Sequence, residues 1–280
     1  MKSRIISSLI LGSVAMLAVS SAQAFTLEKF NPTLGLTEAQ WMASVFLGDN
    51  SDITLVPGSA KYIGNYLYQG GSTSDGGLVL SNGRFLEKIP GYYGTFNGVN
   101  TPANTGGNAA LSALIGNTQT FDQNVLTFQF TVNDPSLDTI STSFIFASDE
   151  FGKTNYNDVF AFWVDGVNYA LLPDGSVVSV RNVGSNYLDG KDYGYYGRTD
   201  EISITALLDP NRTTHTITIA IADATNTGGL STVFFGPVAA FNSNAVTPTI
   251  PAVPEPETWA MLLAGLGIVG ATTKNRRRLK

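Results

Sequence analysis

Leu126, Phe128, Phe130 and Val132 alternate with Thr127, Gln129 and Thr131. A helix would spread those apolar side chains around its whole girth, whereas a strand puts them all on one face. This segment is therefore a strand with one face buried and one face wet. Further along, "TSFIFAS" and "DVFAFWV" are apolar at nearly every position. That pattern belongs to central strands covered on two sides. Turn signals cut the runs at short intervals. Asp165-Gly166 between "VFAFWV" and "VNYAL" predicts a hairpin. Pro173-Asp174-Gly175 leads into "SVVSVRNV", which should continue the sheet, and Asp209-Pro210-Asn211 parts "EISITAL" from "HTITIAIAD". "STVFF" completes the set. Many short strands at this spacing predict a mainly β fold, an antiparallel β-sandwich or jelly roll.

One helix precedes the strands. Thr37-x-x-Gln40 is a capping-box signal, Trp41, Val45 and Phe46 follow at helical spacing, and Gly48 ends the element. From Gly58 to Gly116 the chain is rich in Gly, Ser, Thr and Asn. The tyrosines and leucines within it, as in "GGLVLSNG", predict loops and short strands packed on the core. The body, residues 25–246, reads as one domain. It contains no cysteine, and a domain of this size buries enough apolar surface without disulfides.

Both ends of the chain concern location. Lys2 and Arg4 precede the apolar run Ile5–Val19, and Ala22-Gln23-Ala24 supplies the small residues that a signal peptidase reads. Residues 1–24 are thus expected to be a signal peptide, with the mature chain starting at Phe25. Residues 247–256 form a Pro-rich linker, and 257–280 hold a short apolar helix and a basic tail. Trp259–Thr273 is apolar or small throughout and is followed by Lys274, Arg276, Arg277, Arg278 and Lys280. A spanning helix needs about 17–25 residues, so this one is short. Basic residues behind it would hold that end in the cytoplasm. No ionisable side chain interrupts the run, so it is an address label and not a conducting span.

Removing both ends changes the charge. Seven of the 16 basic residues go and, with Glu257 left on the tail, one of the 22 acidic ones. The body carries nine against 21, a formal charge of −12 in place of −6. No basic stripe survives to grip phosphates, which excludes nucleic acid as a partner class. An acidic exterior favours cations.

Pro254-Glu255-Pro256, a short apolar helix and the Arg276–Arg278 cluster together resemble the PEP-CTERM sorting signal of Gram-negative bacteria. The resemblance implies an exosortase as the processing partner, a cut near Pro-Glu-Pro, and membrane contact through the helix before processing. An ordinary single-span anchor is the other reading. "FIFASDEF", "NDVFAFWVDG", "IAIAD", "STVFF" and the earlier "GGLVLSNG" resemble the choice-of-anchor L family over about Leu34 to Val238. Phe146–Phe151 and Asn157–Phe160 are its most specific parts. What this implies is an exported surface or extracellular-matrix domain and no enzyme. The family's ending places an acid shortly before the last strand, where this chain has Leu230.

Two classes of function follow. The first is a non-catalytic surface or matrix protein that binds exopolysaccharide, ions or other cell-surface components. The second is a secreted polysaccharide hydrolase with Asp149, Glu150 or Glu201 as acid/base carboxylates. Adjacent strand residues point to opposite faces, so Asp149 and Glu150 make a poor pair, and the non-catalytic reading is preferred. Tyr187, Tyr193, Tyr195 and Tyr196 lie among glycines and acids, a composition that can present rings to a glycan or fold them down over a core. Asp149 and Glu150 close one apolar run, Asn157 and Asp158 open the next, and Asp223 ends "IAIAD". If those strands are neighbours, these side chains form an oxygen-rich set suited to calcium. Turn capping by Asp149 and Asn157, with Lys153 neutralising a carboxylate, explains the same residues without a metal. His215, the one histidine, shares parity with Ile217, Ile219 and Ile221 and reads as a strand residue with no acidic partner beside it.

Overall fold

The computed structural model describes residues 35–48, 52–65, 67–69, 77–83, 103–225, 227–236 and 238–241. The expected signal peptide, with Ala22 and Ala24, and the tail, with Pro254–Pro256 and Arg276–Arg278, lie outside them. Helix α1 spans Glu38–Leu47. The Thr37 hydroxyl accepts the Gln40 N–H (3.2 Å) while Gln40 Oε1 accepts the Thr37 N–H (2.9 Å), so the predicted capping box is formed. Among the described residues no helix is long and apolar enough to cross a membrane.

The strands pair antiparallel throughout. In the first half they are β1 (Ile53–Leu55), β2 (Lys61–Ile63), β3 (Leu67–Gln69), β4 (Leu78–Ser81), β5 (Thr120–Val132), β6 (Thr139–Ser148) and β7 (Val159–Val164). They continue as β8 (Val167–Asn168), β9 (Leu188–Asp189), β10 (Gly197–Arg198), β11 (Ile202–Leu207), β12 (His215–Ala224), β13 (Ser231–Phe235) and β14 (Ala239–Phe241). One sheet runs β1-β5-β12-β7-β8, with β2 also on β5. The other runs β3-β4-β13-β6-β10-β9, with β11 and β14 also on β6. The predicted hairpin is β7–β8, turned by Asp165 (φ 50°) and Gly166 (φ 85°).

The main core lies between the two sheets. Phe128 and Phe130 of β5, Phe160 and Phe162 of β7, and Ile217, Ile219 and Ile221 of β12 come from one sheet. Leu78 and Leu80 of β4, Phe144 and Phe146 of β6, and Val233 and Phe235 of β13 come from the other. The continuous apolar runs have a simple cause, because each sheet is covered on its second face as well. Val79, Ile145, Ala147 and Phe234 are roofed by Leu230 and Tyr195. Val125, Val159, Ala161, Ala220 and Ala222 are roofed by Leu111 of α2 (Ala109–Leu114). The stretch "SVVSVRNV" departs from expectation. It makes isolated bridges at Val177 and Ser179, and Ser179 then caps the short helix α3 (Val180–Val183), accepting the Asn182 N–H at 3.3 Å.

Candidate functional site

At one end of the sandwich the strands carry polar side chains into an apolar interior. Ser81 ends β4 and Asn82 follows it, Ser148 ends β6 and Glu150 lies two residues beyond, and Ser231 opens β13, where it pairs with Ser148. From the opposite sheet come Asp158, just before β7, Asp223 near the end of β12, and Asp122 in β5. Relative exposure is 0% for Glu150 and Asp158, 1% for Asp223 and 3% for Asp122. Four acids are thus sealed together where the two sheets meet.

Asp122 enters through a break in register. β12 pairs Ile221 with Asn124 but Asp223 with Phe121, and Asp122 adopts φ 50° at this bulge. An extra residue in one strand re-aims its side chain, and here it brings Asp122 beside Asp223.

The donors are few. Asn82 Nδ2 donates to Asp158 Oδ2 (2.8 Å) and to Asp223 Oδ1, while Asn82 Oδ1 accepts the Ser231 N–H (2.8 Å). The Ala224 N–H reaches Asp158 Oδ1 at 3.4 Å, and the Asn104 N–H reaches Asp122 Oδ1 at 2.6 Å. Both carboxylate oxygens of Glu150, and Oδ2 of Asp122, are buried without a hydrogen-bond partner. The Glu150 carboxyl instead abuts that of Asp158. Burial, and then the charge of Asp158, push Glu150 up to about 10 and Asp223 up to about 12. Burial likewise raises Asp158 and Asp122. Two carboxylates in contact offer no donor to each other, so a proton or a cation must lie between them. Lys153 does not serve: its ammonium sits 5.5 Å from the centre of the Tyr156 ring, and its pull on Glu150 is smaller than the effects of burial and of Asp158.

Of the five residues expected to form an oxygen set, the fold unites Glu150, Asp158 and Asp223. Asp149 faces away, accepting the Tyr196 N–H at 3.2 Å. Asn157 accepts the Arg181 N–H at 3.1 Å and so ties the approach to β7 to helix α3. Asn82 and Asp122 are the members that sequence reasoning missed. Neither carried a local signal, since the bulge between Asp122 and Phe128 breaks the alternation and Asn82 arrives through the pairing of β4 with β13. Leu230 is a buried residue packed with Val79 and Phe234, so this position adds no carboxylate to the cluster.

The tyrosines divide. Tyr195 is 2% exposed and its hydroxyl meets that of Thr232, and Tyr193 packs edge-on to Phe234 at 5.0 Å. Tyr187 stacks on Phe151 at 5.4 Å, and Tyr196 alone stands well out, at 60% exposure. The four rings therefore do not share one exposed surface, and only Tyr196, with the edge of Tyr187, faces outward. Tyr195→Phe should cost about 1 kcal/mol of stability through the lost hydroxyl pair. Tyr196→Ala should stay within about 0.5 kcal/mol, and denaturant titration of both variants checks the assignment.

His215 has the acidic partner that the sequence did not place. Its Nδ1 lies 2.7 Å from Asp165 Oδ2, and Asp165 Oδ1 accepts the Thr216 N–H at 2.8 Å. The pair pins the start of β12 to the β7–β8 turn. Glu201 is exposed and accepts the Ser143 hydroxyl at 2.5 Å, apart from the sealed Glu150.

The model of the choice-of-anchor L domain matches residues 35–240. The chain belongs to the choice-of-anchor L family. The match begins at the loop before α1 and ends in β14, so this domain of the family is the whole sandwich described above. The PEP-CTERM protein-sorting motif matches residues 252–278. This choice-of-anchor L protein therefore carries a sorting signal for export to the envelope or surface of a Gram-negative cell. No curated protein matches it significantly. Among solved structures, the enzymatically active domain of tailspike protein 4 of bacteriophage CBA120 is aligned at 11% identity and a TM-score of 0.23. That alignment covers 72% of this chain and 21% of the tailspike chain, so the chain spans about a fifth of its length.

Proposed function

We propose that the processed domain is a non-catalytic component of the cell surface or exopolysaccharide matrix. The observation that carries this reading is the sealing of the acidic cluster. Glu150 is fully buried, and a polymer cannot bring a glycosidic oxygen within hydrogen-bond reach of a carboxyl that no solvent touches. The exposed features suit binding. A groove of about 300 Å³ sets Leu172, Pro173 and Ile202 against Asp174, Asn182 and Asp200. Such a mixture can meet both the apolar face and the hydroxyl rim of a sugar. The Ser176 hydroxyl and N–H hold Asp174 below the usual carboxylate range, which fits an acceptor of sugar hydroxyls and not a general acid. Tyr196 offers a second aromatic contact.

The test is fractionation of cells with and without their exosortase, followed by binding to the cell's own purified exopolysaccharide. The processed protein is expected to lack Arg276–Arg278 by intact mass, to leave the inner membrane, and to bind the polymer without shortening it. Retention of the full tail in the processed fraction would reduce the signal to a simple anchor. Polymer cleavage lost in Glu150→Gln would instead establish the hydrolase.

A further inference from the structure

We propose that Glu150, Asp158, Asp223 and Asp122 form a buried site for a divalent cation, calcium by the chemistry of its donors, which ties the two sheets together. The site goes beyond the surface-protein reading and stands or falls independently of it.

Three observations meet at one place. First, four carboxyl groups from four separate segments converge, and the hydrogen bonds that reach them come from Asn82, Ser231 and two backbone N–H groups. Second, Glu150 is sealed from solvent, neither of its oxygens meets a hydrogen-bond donor, and its carboxyl lies against that of Asp158. A buried ionised group without a donor is among the costliest arrangements a fold can hold, and a coordinated cation removes that cost. Third, the chain opposite Glu150 has no side chain: a Cβ on Gly229 would fall 1.8 Å from Glu150 Oε1. The backbone leaves room for the carboxylate and for nothing larger.

The donor set selects the ion. Every candidate ligand is oxygen, the chain has no cysteine, and its one histidine is engaged by Asp165. Oxygen-only sites suit hard cations. Magnesium holds its waters and demands near-ideal octahedral geometry, whereas calcium accepts six to eight protein oxygens in irregular arrangements. A pocket sealed by apolar strands, with carboxylates as its main resource, is the calcium case. Among the described residues no three His, Cys, Asp or Glu side chains are already drawn around one point as ligands. Binding must therefore draw the Asp223 carboxylate in toward the Glu150–Asp158 pair, and with it the end of β12 toward the end of β6. Those strands belong to different sheets, which makes the ion a clasp across the sandwich.

Thermal unfolding of the exported protein, stripped with chelator and then titrated with calcium chloride or magnesium chloride, tests the site. With calcium at about 100 times its dissociation constant, the melting temperature should rise by about 5–10 °C, and magnesium should do less. Glu150→Gln and Asp158→Asn keep the shape and should lose the rise, while Asp149→Asn, outside the cluster, should keep it. Should Glu150→Gln and Asp158→Asn fail to fold, Asp122→Asn is the milder substitution, and it should weaken calcium binding in a calorimetric titration. The proposal is overturned by a wild-type protein that shows neither a shift nor binding heat up to about 10 mM calcium, above the dissociation constants of extracellular calcium modules. A shift of wild-type size in folded Glu150→Gln also overturns it, because the ion would then sit elsewhere.

Discussion

Phe46→Ala should lower the unfolding free energy by about 3–5 kcal/mol, the range for removing a large aromatic side chain from a packed interior. Phe46 is fully buried, and its ring lies 6.2 Å from Phe128, 6.0 Å from Phe162 and 5.4 Å from Phe235. Those three rings sit on β5, β7 and β13, so one helical residue touches both sheets. The interior around them is strand and aromatic, and it cannot collapse into the space of a lost phenyl ring without moving a ladder of hydrogen bonds. Denaturant titration of the exported variant reads the effect as a lower midpoint at unchanged slope. A loss below about 1 kcal/mol, the level of an ordinary surface change, would mean that α1 is an accessory to the sandwich and not part of its core.

Much of that sandwich is legible in the sequence because its signals are local. Thr37 and Gln40 are three residues apart and satisfy each other wherever the helix goes. Asp165-Gly166 sets the β7–β8 turn by its own backbone preferences. The runs in β6 and β7 are apolar on both faces because both sheets carry a second cover, and the sequence states that condition directly. The acidic cluster is legible only in part. Glu150 and Asp158 flank one short loop, so their meeting is almost a local event. Asp223 joins them through the pairing of β12 with β7, whose register the hydrophobic alternation fixes. Asn82 stands 76 residues from Asp158 and 141 from Asp223. It arrives because β4 pairs with β13, a choice that no local signal dictates. Asp122 depends on a one-residue bulge, and a single slip of that kind reverses which face a side chain takes. The same long-range packing turned Tyr195 inward, since a ring among glycines can as easily roof a sheet as face water. Asp149 and Glu150 do part to opposite sides, but not by strand alternation. β6 ends at Ser148, and in the bend that follows Asp149 turns to the Tyr196 backbone and Glu150 to the interior.

Gly229→Ala should cost about 2–6 kcal/mol and should also remove the stabilisation by calcium. The backbone at Gly229 has φ 103°, a conformation that L side chains rarely adopt, and strain of this kind costs about 1–3 kcal/mol. The added methyl would also fall 1.8 Å from Glu150 Oε1 and 2.3 Å from its Cδ. A collision with the end of a flexible exposed side chain is cheap to relieve. Glu150 is fully buried with its carboxyl against Asp158, so it has nowhere to swing, and overpacking of this sort adds about 1–3 kcal/mol. Gly175→Ala separates the two contributions. Gly175 also has positive φ, 82°, but nothing lies within 4 Å of where its Cβ would be, so it should show the backbone strain alone. The collision itself is isolated by a double-mutant cycle with Glu150→Ala. In that background Gly229→Ala should cost no more than Gly175→Ala does in the wild type, because the clashing carboxylate is gone. If Gly229→Ala is instead as costly without Glu150 as with it, the glycine serves only the turn before β13. Its bare backbone would then have no part in cradling the carboxylate on which the cation site depends.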